Sequence, residues 1–177
     1  DLVRSRGLGD VYKRQIQNDR TSISPWLLAK MLQFLDLNSS DNVLSLAAGY
    51  GYSCALMSSL ANFVVAVETQ DLAQEAQVRL IEGGYDNILV REGNIYEGAE
   101  EEGPYDAILI EGAVEYINEE IINQLKLEGR IVAVFKDKIL GQCRLGIKTK
   151  SGLQWRNLFE ANCVLLNDFR IEEKFTL

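Results

Sequence analysis

The stretch NVLSLAAGYG, residues 42–51, decides the fold: a short apolar run that ends in two glycines one residue apart. Residues 42–47 read as a strand buried on both faces. Gly49 and Gly51, which carry no Cβ, supply the turn, and a helix follows to about Leu60. Downstream the motif repeats. FVVAVE (63–68) is a second buried strand, and residues 70–82 form a helix that stops at Gly83-Gly84. Residues 87–91, 106–111 and 130–135 supply three more strands, with a helix over 118–126 before the last. Upstream, Ser24-Pro25 is an N-cap and N1 pair, and Trp26, Leu27, Met31, Leu32 and Leu35 recur at helical spacing. Continuous apolar strands separated by helices imply a parallel sheet covered on both faces. After Phe135 the alternation ends. Cys143 to Lys150, a Lys-Ser-Gly turn, Trp155 and residues 163–176 read as an antiparallel hairpin. The expectation is an α/β, Rossmann-like fold, a parallel sheet closed by a C-terminal antiparallel hairpin.

Composition narrows the chemistry. The chain has 177 residues, 47% of them hydrophobic, which suits one domain with a real core. It has no histidine, so Ser-His-Asp and Cys-His catalysis and imidazole-ligated zinc are excluded. With 26 acidic against 18 basic residues and a net charge of −8, it lacks the basic face that a nucleic-acid partner needs. No apolar run reaches the roughly 18–20 residues that span a bilayer, so no membrane partner is expected. Cys54, Cys143 and Cys163, odd in number and set in apolar contexts, read as buried reduced thiols in a cytoplasmic, reducing compartment. Residues 1–15 share no pattern with the rest of the chain. DVYKRQ can be encoded by the transposon end used in sequencing adapters, so 1–15 reads as a non-native scar and 16–177 as the domain. Glu100, Glu101 and Glu102 read as a solvated loop, and Trp26 and Trp155 as packing residues.

A turn without Cβ atoms at the end of the first strand lets backbone N–H groups and a helix N-terminus approach a ligand. Glu68, at the tip of the second strand and 19 residues past Gly49, can accept hydrogen bonds from both hydroxyls of a ribose. Together they suggest an adenosine-containing ligand at the carboxyl ends of the strands. The spacing Ala47-x-Gly49-x-Gly51 departs from the G-x-G-x-x-G of dinucleotide binders, which leaves nicotinamide as the runner-up. It matches the G-x-G-x-G of S-adenosylmethionine enzymes with the first glycine replaced.

An ordered set of motifs makes the reading more specific. Arg20-Thr21-Ser22-Ile23-Ser24-Pro25, Val43 to Tyr52, Val67-Glu68, Gly84-Tyr85-Asp86-Asn87 and Gly93-Asn94-Ile95-Tyr96 fall in one order. Tyr105-Asp106-Ala107-Ile108, Gln124 to Arg130, and the hairpin with Gly152, Trp155 and Phe159 complete it. This set resembles the protein-L-isoaspartate O-methyltransferases, from about residue 19 to the end, in a diverged bacterial branch. Their Q-T-I-S-Q-P, V-L-E-I-G-T-G-S-G-Y, V-E, G-Y-x-N, G-D-G-Y, F-D-A-I and Q-L-K-P-G-G-R are similar in order and spacing. The helical segment that precedes the first motif in that family is absent, as in a truncated chain.

The resemblance implies an S-adenosylmethionine-dependent methyltransferase acting on the free α-carboxylate of L-isoaspartyl residues in damaged proteins, a repair reaction. It implies that Ala47, Gly49, Tyr50, Gly51 and Glu68 meet the cofactor. Asn94 and Ile95 would flank the adenine, while Thr21 and Ser22 line the mouth. Ser22 or Ser24 would stand for the hydroxyl associated with transfer, which by ungapped alignment falls at Ile23. Glu111, at the tip of the fourth strand where the family has a small hydroxyl residue, would be a cofactor- or substrate-side contact or else a solvated strand-end acid. The family's first-strand acid is Ser45 here, its first loop glycine Ala47, and its adenine-recognising acid Asn94. Those departures motivate the alternative of a non-catalytic homologue kept as a binding or interaction module.

Overall fold

The computed structural model describes residues 20–137 and 140–171; the N-terminal stretch read as a scar lies outside them. Helix α1 (Pro25–Leu35) starts where Ser24 Oγ accepts from Leu27 N at 3.3 Å, and ends at Asp36 in the left-handed region. Strand β1 (Asn42–Leu46) leads through the glycine turn to α2 (Tyr52–Ser58). Strand β2 (Phe63–Glu68), helix α3 (Gln70–Glu82) and strand β3 (Ile88–Glu92) follow. Then come β4 (Tyr105–Val114), the short α4 (Glu119–Asn123), β5 (Leu125–Asp137), β6 (Leu140–Thr149) and β7 (Gly152–Glu160).

The seven strands form one sheet in the order β3-β2-β1-β4-β5-β6-β7. The first five run parallel; β5–β6 and β6–β7 are antiparallel. The chain builds outward from β1 to β3, then returns to place β4 on β1's other side. That reversal opens a crevice at the carboxyl ends of β1 and β4, the usual ligand position in such sheets.

Side chains alternate across the sheet and make two cores. One joins Leu27, Leu28, Met31 and Leu35 of α1 and Met57 of α2 to Val43, Val64, Leu109 and Val132. The other packs Leu44, Leu46, Val65, Val67, Ile108, Ile110 and Ile131 against Ile121, Tyr105 and Phe169. At the amino ends of the strands, Arg130 donates from Nε to Leu35 O at 2.6 Å and from Nη2 to Asp41 Oδ2 at 2.5 Å. Lys126 meets Asp106 Oδ2 at 2.8 Å, and that oxygen also accepts from Asn42 N.

Two expected boundaries are corrected. The second arm of the hairpin is Gly152–Glu160, not 163–176: Thr149 pairs with Gly152 across a two-residue turn, Gly152 at φ +109°. Residues 163–169 instead fold along β4, where Leu166 N donates to Ala113 O at 2.9 Å and Ala113 N to Val164 O at 2.8 Å. Burying Leu166 and Phe169 against β4 outweighs their strand-forming pattern. Similarly, the helix expected over 118–126 is only Glu119–Asn123, because Leu125 already pairs with Tyr105 and starts β5. No helix among the described residues is long and apolar enough to cross a membrane. Cys54 and Cys143 are buried, Cys163 is half-buried, and none of the three is in a disulfide.

Candidate active site

The turn after β1 takes the left-handed region three times, at Ala47 (φ 63°), Gly49 (58°) and Gly51 (83°). Ala47 does so with a Cβ, at a cost of about 1 kcal/mol, where a glycine would adopt this φ without strain. Gly51 has a second reason to be glycine: a Cβ there would lie 2.9 Å from Leu80 Cδ1 of α3. It serves helix packing. The Tyr50 ring is likewise turned to α3, with the Arg79 guanidinium 4.5 Å from its centroid.

Glu68 ends β2 and has no exposed surface. Its carboxylate receives Gly49 N at 2.6 Å and Thr69 N at 2.9 Å. Arg20 closes the set, with Nη1 at 2.9 Å from Oε2 and Nη2 at 2.6 Å from Oε1, while Nη2 also donates to Ala47 O at 2.9 Å. A carboxylate offers about four acceptor positions, and Glu68 fills four. This ion pair brings the segment 20–24 within one arginine side chain of the strand tips.

Glu111, at the same level of β4, is surrounded differently. Ser45 Oγ of β1 donates to its Oε1 at 2.7 Å, and Ser53 Oγ of α2 donates to the same oxygen. Among the described residues no cation forms an ion pair with it, and Oε2 takes no hydrogen bond. The residue keeps some exposed surface, yet its carboxyl lies deep enough that loss of hydration pushes its pKa up to about 7. The two serine hydroxyls and the nearby charge of Arg20 pull it the other way, and Glu68 adds to the rise. Burial, with Glu111 close by, likewise pushes the Cys54 thiol up to about 12, so it is no nucleophile.

The other expected site residues are dispersed. Asn94 is exposed, its Oδ1 accepting from Tyr96 N at 2.9 Å and its amide donating to Glu97 at 3.2 Å. Ile95 is buried with Leu46, Ala47 and Val67, an apolar floor beside the turn. Thr21 and Ser22 are half-buried in the segment between Arg20 and α1. The Ser24 hydroxyl is held by Leu27 N as the helix cap, a structural use. Ile23, where the alignment puts the transfer hydroxyl, is 7% exposed and in the core. Sequence reasoning missed Arg20 and Ser53. The replacement of the family's glutamine by Arg20 was the available signal; Ser53 left none, since its role depends on α2 facing β4.

The sequence profile of the protein-L-isoaspartate(D-aspartate) O-methyltransferases matches residues 10–155. The chain belongs to this family. Within the isoaspartate O-methyltransferases, it is 39% identical over 118 residues to protein-L-isoaspartate O-methyltransferase 2 of Polaromonas sp., covering 66% of this chain and 56% of the relative. It is 36% identical over 118 residues to protein-L-isoaspartate O-methyltransferase 1 of Nitrosospira multiformis, covering 66% and 50%. The chain thus spans about half the length of the curated relatives it matches. A solved protein-L-isoaspartate O-methyltransferase superposes with a TM-score of 0.80 at 26% identity, over 94% of this chain and 56% of that one. A Plasmodium falciparum structure named for the same activity, a complex with S-adenosyl-L-homocysteine, shares the fold at a TM-score of 0.73 and 20% identity. It covers 88% of this chain and 80% of its own.

Proposed function

We propose that the chain binds S-adenosylmethionine at the carboxyl ends of β1, β2 and β4 and methylates the free carboxylate of L-isoaspartyl residues in damaged proteins. The observation that carries the reading is the buried Glu68 carboxylate at the tip of β2, held by Gly49 N of the left-handed turn at the sheet's reversal. The residues fit the cofactor with one rearrangement. Two of the donors on Glu68 are backbone N–H groups, and the other two belong to one side chain, Arg20. Ribose hydroxyls would take the places of the Arg20 guanidinium, while Gly49 and Thr69 stay. Ala47 and Gly49 present a close backbone, and Ile95 gives the adenine an apolar floor, with Asn94 beside it.

Bound there, the cofactor supplies an activated methyl group on sulfur. The chain's part needs no general base, because the accepting carboxylate is already ionised at neutral pH. That agrees with a sequence without histidine. Glu68 and the turn would orient the adenosine, and segment 20–24 would cover the mouth and keep water from the reacting atoms. Thr21 and Ser22 are the hydroxyls of that segment placed to meet a peptide. The reading of a non-catalytic module draws no support from the relatives, which are named as methyltransferases. The test is methyl transfer from labelled S-adenosylmethionine to an isoaspartyl peptide, with its aspartyl isomer as control. Base-labile methyl ester on the first peptide alone supports the reading, and none on either refutes it.

A further inference from the structure

The geometry points to Glu111 as the receptor for the α-ammonium group of the amino-acid half of the cofactor, an inference that rests on the S-adenosylmethionine reading above. Glu111 stands on β4 beside β1, at the sheet's reversal and one residue past the Leu46–Ile110 pair, next to the turn that would hold the ligand. Its two hydroxyl donors come from β1 and α2 and both converge on Oε1. That arrangement fixes the carboxyl plane and leaves Oε2 without a hydrogen-bond partner among the described residues. A carboxylate oxygen accepts and cannot donate, so the group it lacks is a donor, and the strongest donor is a cation.

Without ligand, Arg20, the described cation that bears on Glu111, is paired with Glu68 and makes no hydrogen bond to Glu111. Among the described residues Glu111 therefore has positioning, an open acceptor and no ion-pair partner in contact, the complement of a small ammonium. Hydroxyl-only support also suits this role: Ser45 and Ser53 hold the carboxylate without neutralising it. A ligand carboxylate would be repelled from the same place, so Glu111 also orients the amino-acid half, amino group inward. With its acid group at a pKa of about 7, Glu111 titrates in the neutral range while empty, and an ammonium beside it would hold it ionised.

The experiment is a calorimetric comparison of S-adenosylhomocysteine with its deaminated analogue, which keeps the carboxylate and lacks only the amino group. Both are titrated into the wild-type chain and into Glu111→Gln. Wild type is expected to prefer the amino-bearing ligand by about 10- to 100-fold, the usual range for a charge-assisted contact. Glu111→Gln should erase that preference while its affinity for the analogue stays within about threefold. Equal affinity of wild type for the two ligands overturns the inference, and that arm needs no folded variant. So does a preference that survives Glu111→Gln. Binding of neither ligand overturns the parent reading as well, whereas binding of both without discrimination overturns this inference alone.

Discussion

Two glutamates stand at one level on either side of β1, Glu68 at the end of β2 and Glu111 within β4, and their surroundings make them different objects. Glu68 is enclosed, with four donors that include a guanidinium; Glu111 has two hydroxyls on a single oxygen and, among the described residues, no cation in contact. Both are strand-tip acids in the sequence. The contrast teaches that readiness to bind is set by which donors the chain has already committed. Glu68 ties the 20–24 segment to the sheet and so works for stability, while Glu111 is a cost that a ligand can relieve.

The largest way to break the contrast is Glu68→Ala. It strands the Arg20 guanidinium, 17% exposed, without its partner, and leaves Gly49 N and Thr69 N without an acceptor. Urea denaturation should show a loss of about 3 kcal/mol, partly recovered in the Arg20→Ala, Glu68→Ala double variant. No recovery would show that the ion pair is not what holds the segment.

Glu111→Gln should act in the opposite direction. Its carboxyl has an ordinary value of 4.5 and about 7 in the folded chain, so between these pH values the folded state holds a proton that the unfolded state has released. Stability contributed by that proton is whole below about 4.5 and is lost as pH rises to about 7. The other ionisable groups facing it, Cys54, Glu68 and Arg20, come from α2, β2 and the 20–24 segment. The variant should therefore be more stable than wild type above pH 7 by about 1–2 kcal/mol, with a flatter stability profile from pH 5 to 7. Denaturation midpoints across that range check the sign; a variant less stable at pH 8 would refute the account.

Ser45→Ala sharpens the comparison by removing one of Glu111's two supports. It should cost about 1 kcal/mol and move the Glu111 titration, followed by carbon NMR of the carboxyl, upward from about 7. The smallest effect is expected from Ala47→Gly. Relief of the left-handed φ of 63° is nearly offset by greater freedom of the unfolded chain, so thermal melts should shift by less than about 0.5 kcal/mol.

Much of the parallel half was legible because its strands are short apolar runs punctuated by glycine. Helix α3 and strand β2 fall on the residues expected. The C-terminal part was less so. The 163–176 run carries the same apolar residues a strand would, and only the contact of Leu166 with Gly112 and Ala113 shows why its described part lies along β4 instead. At the site, Gly49 and Glu68 could be found from their spacing, and the structure joins them by a 2.6 Å hydrogen bond. Arg20, 48 residues from Glu68, stood out only as a charge in place of the family's glutamine, which says nothing about which acid it meets. Ser45, read as a lost acid, turns out to be the donor that holds another one.

The Arg130 clasp at the opposite end of the strands has a consequence in time. It joins residues 89 positions apart, so it can close only after β4 and β5 have docked on β1. Contacts made that late stabilise the native state but not the transition state before it. Weakening the clasp, as in Arg130→Lys, should therefore leave the refolding rate nearly unchanged and speed unfolding, a lock that sets lifetime more than assembly.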